Sequence, residues 1–239
     1  AYGIHPYVLL NYQGTLDHVF TLAHEMGHAL HSYYSDSNQS YINAGYKIFV
    51  AEVASTCNES LLIHYLLKNT DNKAEKAYLI NHFLEQFKGT LYRQTMFAEF
   101  EKITHKMVEE GETLTSDILC KVYYDLNKQY FGEDMVLDEE IALEWARIPH
   151  FYNPFYVYQY ATGISAAIAL SKKIMEQGEA GVKDYMKFLT GGGSKDPIDL
   201  LKLAGVDMTT KEPIEKALEL FKELLDQMEQ SFLSIDTNA

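Results

Sequence analysis

Arginine is nearly missing from this 239-residue chain, with Arg93 and Arg147 the only two. Lysine and arginine together number 20 against 34 acids, a formal net charge of -14. So few cations argue against nucleic acid and anionic membrane as partners, because both are held through clustered positive charge. The acidic excess reads instead as a solvated surface. Cysteine is scarce as well. Cys57 and Cys120 cannot make a disulfide scaffold, and they fit a reducing, cytoplasmic setting. The opening AYGIHPYVLLNY has no basic stretch followed by an apolar one, so it does not read as a secretory signal. No run approaches the ~18 apolar residues of a membrane span. Repeats, low-complexity tracts and linkers are missing too. The chain also lacks an initial methionine and opens inside what reads as a strand, which suggests a piece of a longer protein.

What is there is helix-forming sequence. Hydrophobic residues make up 47% and charged residues 23%, ordinary values for a globular domain. No proline occurs between Pro6 and Pro149, and so long a gap favours helices. The pattern predicts a strand over residues 7–12 and a helix over 16–34 capped by Thr15. A polar loop follows over 35–45. A second helix, over 46–68, is apolar almost all round and therefore buried. Further helices are expected over 72–88, 90–110, 115–130 and 137–147. Two prolines and many tyrosines interrupt the pattern at 147–160. Helices resume over 161–177 and 179–189. Gly191-Gly192-Gly193 reads as a flexible turn, since it lacks the lysine and hydroxyl ending of a phosphate loop. Pro197 and Pro213 fall in the first turns of the last two helices, the latter over 212–232. The expected fold is mainly α, multi-helical, with a small β element near the N-terminus.

The first helix carries His24-Glu25-Met26-Gly27-His28, an H-E-x-x-H motif. At 100° per residue the two histidines lie about 40° apart and one turn displaced. Both imidazoles can then reach one metal ion at about 2.0–2.1 Å. Glu25 points to a neighbouring angle, where it can serve a metal-bound water as general base. Leu16, Val19, Leu22, Ala23, Met26, Leu30 and Tyr33 form an apolar stripe. His24, His28 and His31 lie off it, which argues against a core position for any of the three.

A catalytic site needs a third protein ligand. Three ligands from one straight helix would close the open coordination face, so His31 is expected beside the ligands rather than among them. Glu52 is the better candidate. It stands in the apolar run Ile48-Phe49-Val50-Ala51-Glu52-Val53-Ala54, where an unpartnered carboxylate would cost several kcal/mol. Glu59, seven residues on and roughly 20° away, can accept a hydrogen bond from a ligand histidine. Cys57 falls about 140° from Glu52 and reads as a core thiol.

Taken with Phe49-Val50-Ala51-Glu52-Val53-Ala54-Ser55, the segment from His24 to His31 resembles the oligoendopeptidase F branch of the M3, thimet oligopeptidase-like metallopeptidases. The flanks His5–Tyr12 and Gly191–Asp207 match as well, and the likeness runs over essentially residues 1–239. It implies a zincin-type catalytic domain with one zinc ion on His24, His28 and Glu52, Glu25 as base, and short unfolded oligopeptides as substrates. It also implies that this chain is the C-terminal catalytic part of a protein more than twice as long, whose N-terminal half closes a substrate channel. His150-Phe151-Tyr152-Asn153-Pro154-Phe155-Tyr156-Val157-Tyr158-Gln159-Tyr160 would then supply neutral donors to the oxyanion of peptide hydrolysis. His150 matches the family pattern directly. Tyr152 and Tyr156 share its spacing of four, with Tyr158 and Tyr160 as alternatives.

Two other classes compete. A di-iron carboxylate bundle needs a second E-x-x-H, and Glu101-x-x-x-His105 has the wrong spacing. In a non-catalytic domain the metal would only staple two helices. Such a structural site uses four protein ligands and has no need of Glu25.

Overall fold

The structure, a computed structural model, describes residues 1–236, the side chains of 232–236 excepted. Ten α-helices run in order among the described residues: α1 Leu16–Asn38, α2 Tyr41–Ala44, α3 Ile48–Asn69, α4 Lys73–Gln86, α5 Arg93–Glu109, α6 Ser116–Phe131, α7 Tyr158–Gln177, α8 Glu179–Leu189, α9 Pro197–Leu203 and α10 Glu212–Asp236. A π-helical turn, Phe87–Tyr92, joins α4 to α5, and two 3-10 helices, Glu139–Arg147 and Pro149–Tyr152, precede α7. The chain is thus mainly helical, as the pattern predicts.

The β element does not form, and no strand occurs among the described residues. Tyr7 is 78% and Leu9 97% exposed. Residues 7–12 have strand-forming side chains, but a strand is stable only when a neighbour takes up its backbone hydrogen bonds. The polar loop expected over 35–45 is also partly helical. α1 runs on to Asn38, and Ser35 donates from its side chain to Ala44 O at 2.5 Å, folding the short α2 back on it.

The chain divides into two compact units, Ala1–Phe87 with Thr162–Ala239, and Lys88–Ala161. In the first unit α3 is the central helix. Its Val50, Val53, Ala54 and Cys57 pack with Ala166, Ala167 and Leu170 of α7, Phe188 of α8 and Leu200 and Leu201 of α9. Val50 and Ile63 lose all exposure, and each such side chain contributes about 1.5–3 kcal/mol. Burial pushes the Cys57 thiol up to about 12, in keeping with a core role. The triple glycine is a packed turn rather than a loose one. Gly193 N–H donates to Asn43 O at 2.7 Å, and a side chain on Gly192 would meet Ser35 Oγ at 2.5 Å.

The second unit has an aromatic core. Phe97 and Phe100 of α5, Tyr123 of α6, Trp145 and Phe151 pack together, with ring centroids 5.2–6.4 Å apart.

Candidate metal centre

Thr15 starts α1 by accepting from His18 N–H at 3.3 Å, and from there the helix carries the H-E-x-x-H segment. The face it turns inward differs from the apolar stripe. Phe20, Gly27, His31 and Ser35 are buried, while Leu22, Met26, Leu30 and Tyr33 are 37–49% exposed. The inner face is chosen by close approach to α3. A Cβ on Gly27 would collide with Ala54 O at 2.7 Å and Ser55 N at 2.8 Å, so only glycine lets the two backbones touch. Asn58 Nδ2 ties the same pair by donating to Ala23 O at 3.2 Å.

This contact brings three ligand atoms together. His24 Nε2 lies 3.2 Å from His28 Nε2 and 3.2 Å from Glu52 Oε2, and His28 Nε2 lies 3.5 Å from Glu52 Oε2. His24, His28 and Glu52 are the metal-competent cluster of the described residues. The distances can be tested against a metal. Bonds of about 2.0–2.1 Å in tetrahedral array put neighbouring ligand atoms ~3.3 Å apart. All three observed edges are close to that value. The donor set, two imidazoles and one carboxylate, is also that of catalytic zinc. The residues fit the ion.

The electrostatics favour positive charge at the same point. His24 Nδ1 faces Glu59 Oε1, and Gln86 Nε2 donates to Glu59 Oε2. The Nδ1–H of His24 is thereby committed to Glu59, so loss of the Nε2 proton would leave a lone pair facing the trio. Burial works against charge on His24, but Glu52 and Glu59 outweigh it and lift its pKa to about 10. Glu52, hydrogen-bonded by His24 and then His28, is held well below the ordinary carboxylate range. Ser55 Oγ adds a donor to Glu52 Oε2 at 3.3 Å. The side chain of Glu25, half-buried, has no hydrogen-bond or ion-pair partner among the described residues. It lines a groove of about 230 Å³ together with His28 and Ser32.

His31 departs from expectation. It is fully buried, in the core position that the helical wheel argues against, and its ring stacks on Tyr46 at 3.8 Å and 4°. Neither ring nitrogen has a partner among the described residues, and burial lowers its pKa to about 3. The helical wheel misjudged it because a glycine contact, not hydrophobicity, selects the inner face.

In the second unit His150, Tyr156 and Tyr160 form one ring cluster, with centroids 5.5–5.9 Å apart. Tyr160 Oη lies 3.4 Å from His150 Nε2. Tyr152 stands apart at 88% exposure, and Tyr158 is 40% exposed. The spacing of four thus pairs Tyr156 with Tyr160 around the histidine, not with Tyr152.

A sequence model of peptidase family M3 matches residues 3–220. The chain belongs to this family. Among relatives, this M3 chain is 55% identical to oligopeptidase PepF of Bacillus subtilis over 235 residues, 98% of the chain and 35% of the relative. It is 46% identical to an oligoendopeptidase F homolog of Borreliella burgdorferi over 233 residues, 97% of the chain and 40% of that protein. The crystal structure of oligoendopeptidase-F from Enterococcus faecium superposes with a TM-score of 0.81 at 46% identity, over 91% of this chain and 39% of that one. The M3 chain therefore spans well under half the length of the relatives it matches. No described helix is long and apolar enough to cross a membrane.

Three supporting residues of the M3 site were not legible from spacing. Gly27 occupies an unspecified position of the motif, Gln86 lies on a helix 27 residues beyond Glu59, and Ser55 reads as one more small residue of a buried helix. Only the glycine carried a signal, since a glycine inside a strong helix asks for a packing reason.

Proposed function

We propose that this chain is the metal-bearing catalytic part of a zinc oligoendopeptidase that hydrolyses short, unfolded oligopeptides. The observation that carries the reading is the trio of ligand atoms on α1 and α3, spaced as the edges of a zinc tetrahedron. His24, His28 and Glu52 would hold one zinc ion per chain. When bound, such an ion supplies a Lewis acid for the scissile carbonyl and acidifies water. Glu25 takes the proton from the attacking water and passes it to the leaving amine. Its carboxylate is free to do so because no side chain among the described residues pairs with it. Glu59, itself oriented by Gln86, keeps the His24 imidazole in the tautomer that offers Nε2. A structural staple would leave Glu25 without a role.

His150 and the tyrosines Tyr152, Tyr156, Tyr158 and Tyr160 retain their proposed part as neutral donors to the oxyanion. The ring cluster favours Tyr156 and Tyr160 over Tyr152. The rest of a longer protein, matching the greater length of the relatives, would complete the substrate site. The likeness to oligopeptidases and the cysteine usage support oligopeptide substrates and a cytoplasmic setting.

Elemental analysis of the purified protein tests the centre. One zinc per chain is expected, lost in His24→Ala, His28→Ala and Glu52→Ala. A protein that hydrolyses oligopeptides with no bound metal would sink the proposal. For the donors, Tyr156→Phe or Tyr160→Phe in the natural full-length protein should lower turnover by ~10²–10³ with little change in KM.

A further inference from the structure

Among the described residues, Phe155 is the one non-glycine residue with a left-handed backbone, at φ 58°. It follows Pro154 in the aromatic segment of the second unit. A bulky side chain is strained in this conformation and keeps it only where the surroundings hold it there. The holding group is on α5. Phe155 N–H donates to Glu101 Oε1 at 3.0 Å. One turn further along α5, the ring of His105 packs against that of Phe155 at a tilt of 39°, with centroids 4.6 Å apart. Immediately beyond, Val157 is fully buried in the aromatic core. The turn from Asn153 to Val157 is therefore fastened at its amide, at its ring and at its far end.

Glu101 is an unusual residue for its place. It is 4% exposed, and its Oε2 is buried with no hydrogen-bond partner among the described residues. A carboxyl at the border of an aromatic core is costly, and an apolar residue would pack there without that cost. Among the described residues the one hydrogen bond of its side chain is to the Phe155 amide, with the His105 ring as a nearby electrostatic neighbour. Burial pushes the Glu101 carboxyl up. Glutamine keeps a side-chain oxygen at the position that accepts from the Phe155 amide.

We propose that Glu101 is a positioning residue, holding the Asn153–Val157 turn in the left-handed conformation that presents Tyr156 to His150 and Tyr160. The effect on peptide hydrolysis rests on the proposed oxyanion role of that ring cluster, while the latch itself does not.

Amide hydrogen exchange and steady-state kinetics separate the two. Exchange is measured over residues 153–157 in the wild type, Glu101→Leu and Glu101→Gln. Loss of a hydrogen bond to a buried carboxyl should speed exchange of the Phe155 amide by ~10–10²-fold in Glu101→Leu, and glutamine should restore it to within about threefold. If the leucine variant fails to fold, Glu101→Asp keeps the charge, falls short of the amide and serves the same comparison. In the natural full-length protein, Glu101→Leu should lower kcat ~10-fold or more with KM within about twofold, and Glu101→Gln should recover it. Unchanged exchange in both the leucine and aspartate variants overturns the latch. Faster exchange with unchanged kcat, while Tyr156→Phe does lower kcat, overturns the positioning role. Faster exchange with both kcat values unchanged leaves the latch standing and removes the oxyanion reading instead.

Discussion

Two carboxylates, one in each unit, stand in partly apolar surroundings and meet opposite fates. In the second unit the Glu144 side chain is 8% exposed. It accepts from Tyr123 Oη at 2.6 Å and Arg93 Nη2 at 2.5 Å, and it pairs with Arg147 as well. Both arginines of the chain are spent on it. In the first unit the Glu52 side chain is 33% exposed, and its ion-pairing neighbours are two histidines. No lysine or arginine pairs with it among the described residues. Glu144 is neutralised by charge built into the chain. Glu52 faces imidazole nitrogens, which are charged only when protonated and can otherwise lend lone pairs to an ion. The first arrangement is a structural clamp. The second brings together three ligand atoms that could hold a cation.

The sharpest way to probe the metal side of this contrast leaves the ligands alone. Glu25→Gln keeps size and removes the base, so in the natural full-length protein turnover should fall by ~10²–10⁴. Zinc content should stay at one per chain. If zinc is lost along with activity, Glu25 belongs to the ligand set and the separation of roles between Glu25 and Glu52 is wrong.

The next largest effect concerns what brings the trio together. Gly27→Ala places a methyl group against the backbone of Ala54 and Ser55, neither of which can rotate away. Overpacking of this kind should cost about 3 kcal/mol and push α1 off α3. Zinc affinity should fall at least ~10-fold, because displacement of a ligand by even a few tenths of an ångström spoils the tetrahedron. Calorimetric zinc titration of the variant reads this directly. Wild-type affinity in a folded Gly27→Ala protein would mean that the helix contact does not set the ligand distances.

Zinc itself should distinguish the two carboxylates. At a free concentration ~100 times Kd, a ligand specific for the folded state adds about 2.7 kcal/mol. For a chain of this size the midpoint of thermal unfolding should rise by about 5–10 °C. Glu52→Gln should lose most of that rise, and Glu144→Gln should keep all of it. Equal zinc responses in the two variants would erase the distinction.

Legibility in the sequence follows the same divide. The helices and the core thiol were readable because caps, prolines and the 3.6-residue period are local. Thr15 caps α1 and Pro197 opens α9 where the pattern puts them. The H-E-x-x-H pair was readable because a helix converts a spacing of four into a shared face. Glu52 was readable as a charge inside an apolar helix. What depends on contact between distant segments was not. The strand at 7–12 needed a partner that the described residues do not supply. The wheel turned Leu22 and Met26 inward and His31 outward, whereas Gly27 draws a different face, roughly 115° round the helix, onto α3. The aromatic segment resisted for a related reason. In a non-helical turn with Phe155 at φ 58°, spacing says little about which rings meet, and Tyr160 rather than Tyr152 joins His150.

The smallest effect expected here belongs to the clamp, and its pH dependence has a definite sign. Burial alone would raise the Glu144 pKa, but Tyr123 and the two arginines outweigh it and hold the carboxyl below its ordinary value. A carboxyl depressed in the folded state stabilises above its unfolded pKa of about 4.3, and the contribution is lost as pH falls through the folded value. Glu144→Gln removes a charged acceptor of three donors and should cost about 2 kcal/mol at pH 7. Urea unfolding of both proteins across pH should show that gap constant from pH 7 to about 5. It should shrink as the solution is acidified below about 4, because the wild-type carboxyl then takes up a proton and approaches the variant. A gap that widens in acid would mean that burial dominates and Glu144 is a strained group, not a clamp. Arg147 is 70% exposed and should contribute little of the total, so Arg147→Ala should cost under about 1 kcal/mol. Arg93, 32% exposed and laid over the Phe97 ring at 4.9 Å, carries most of the remainder.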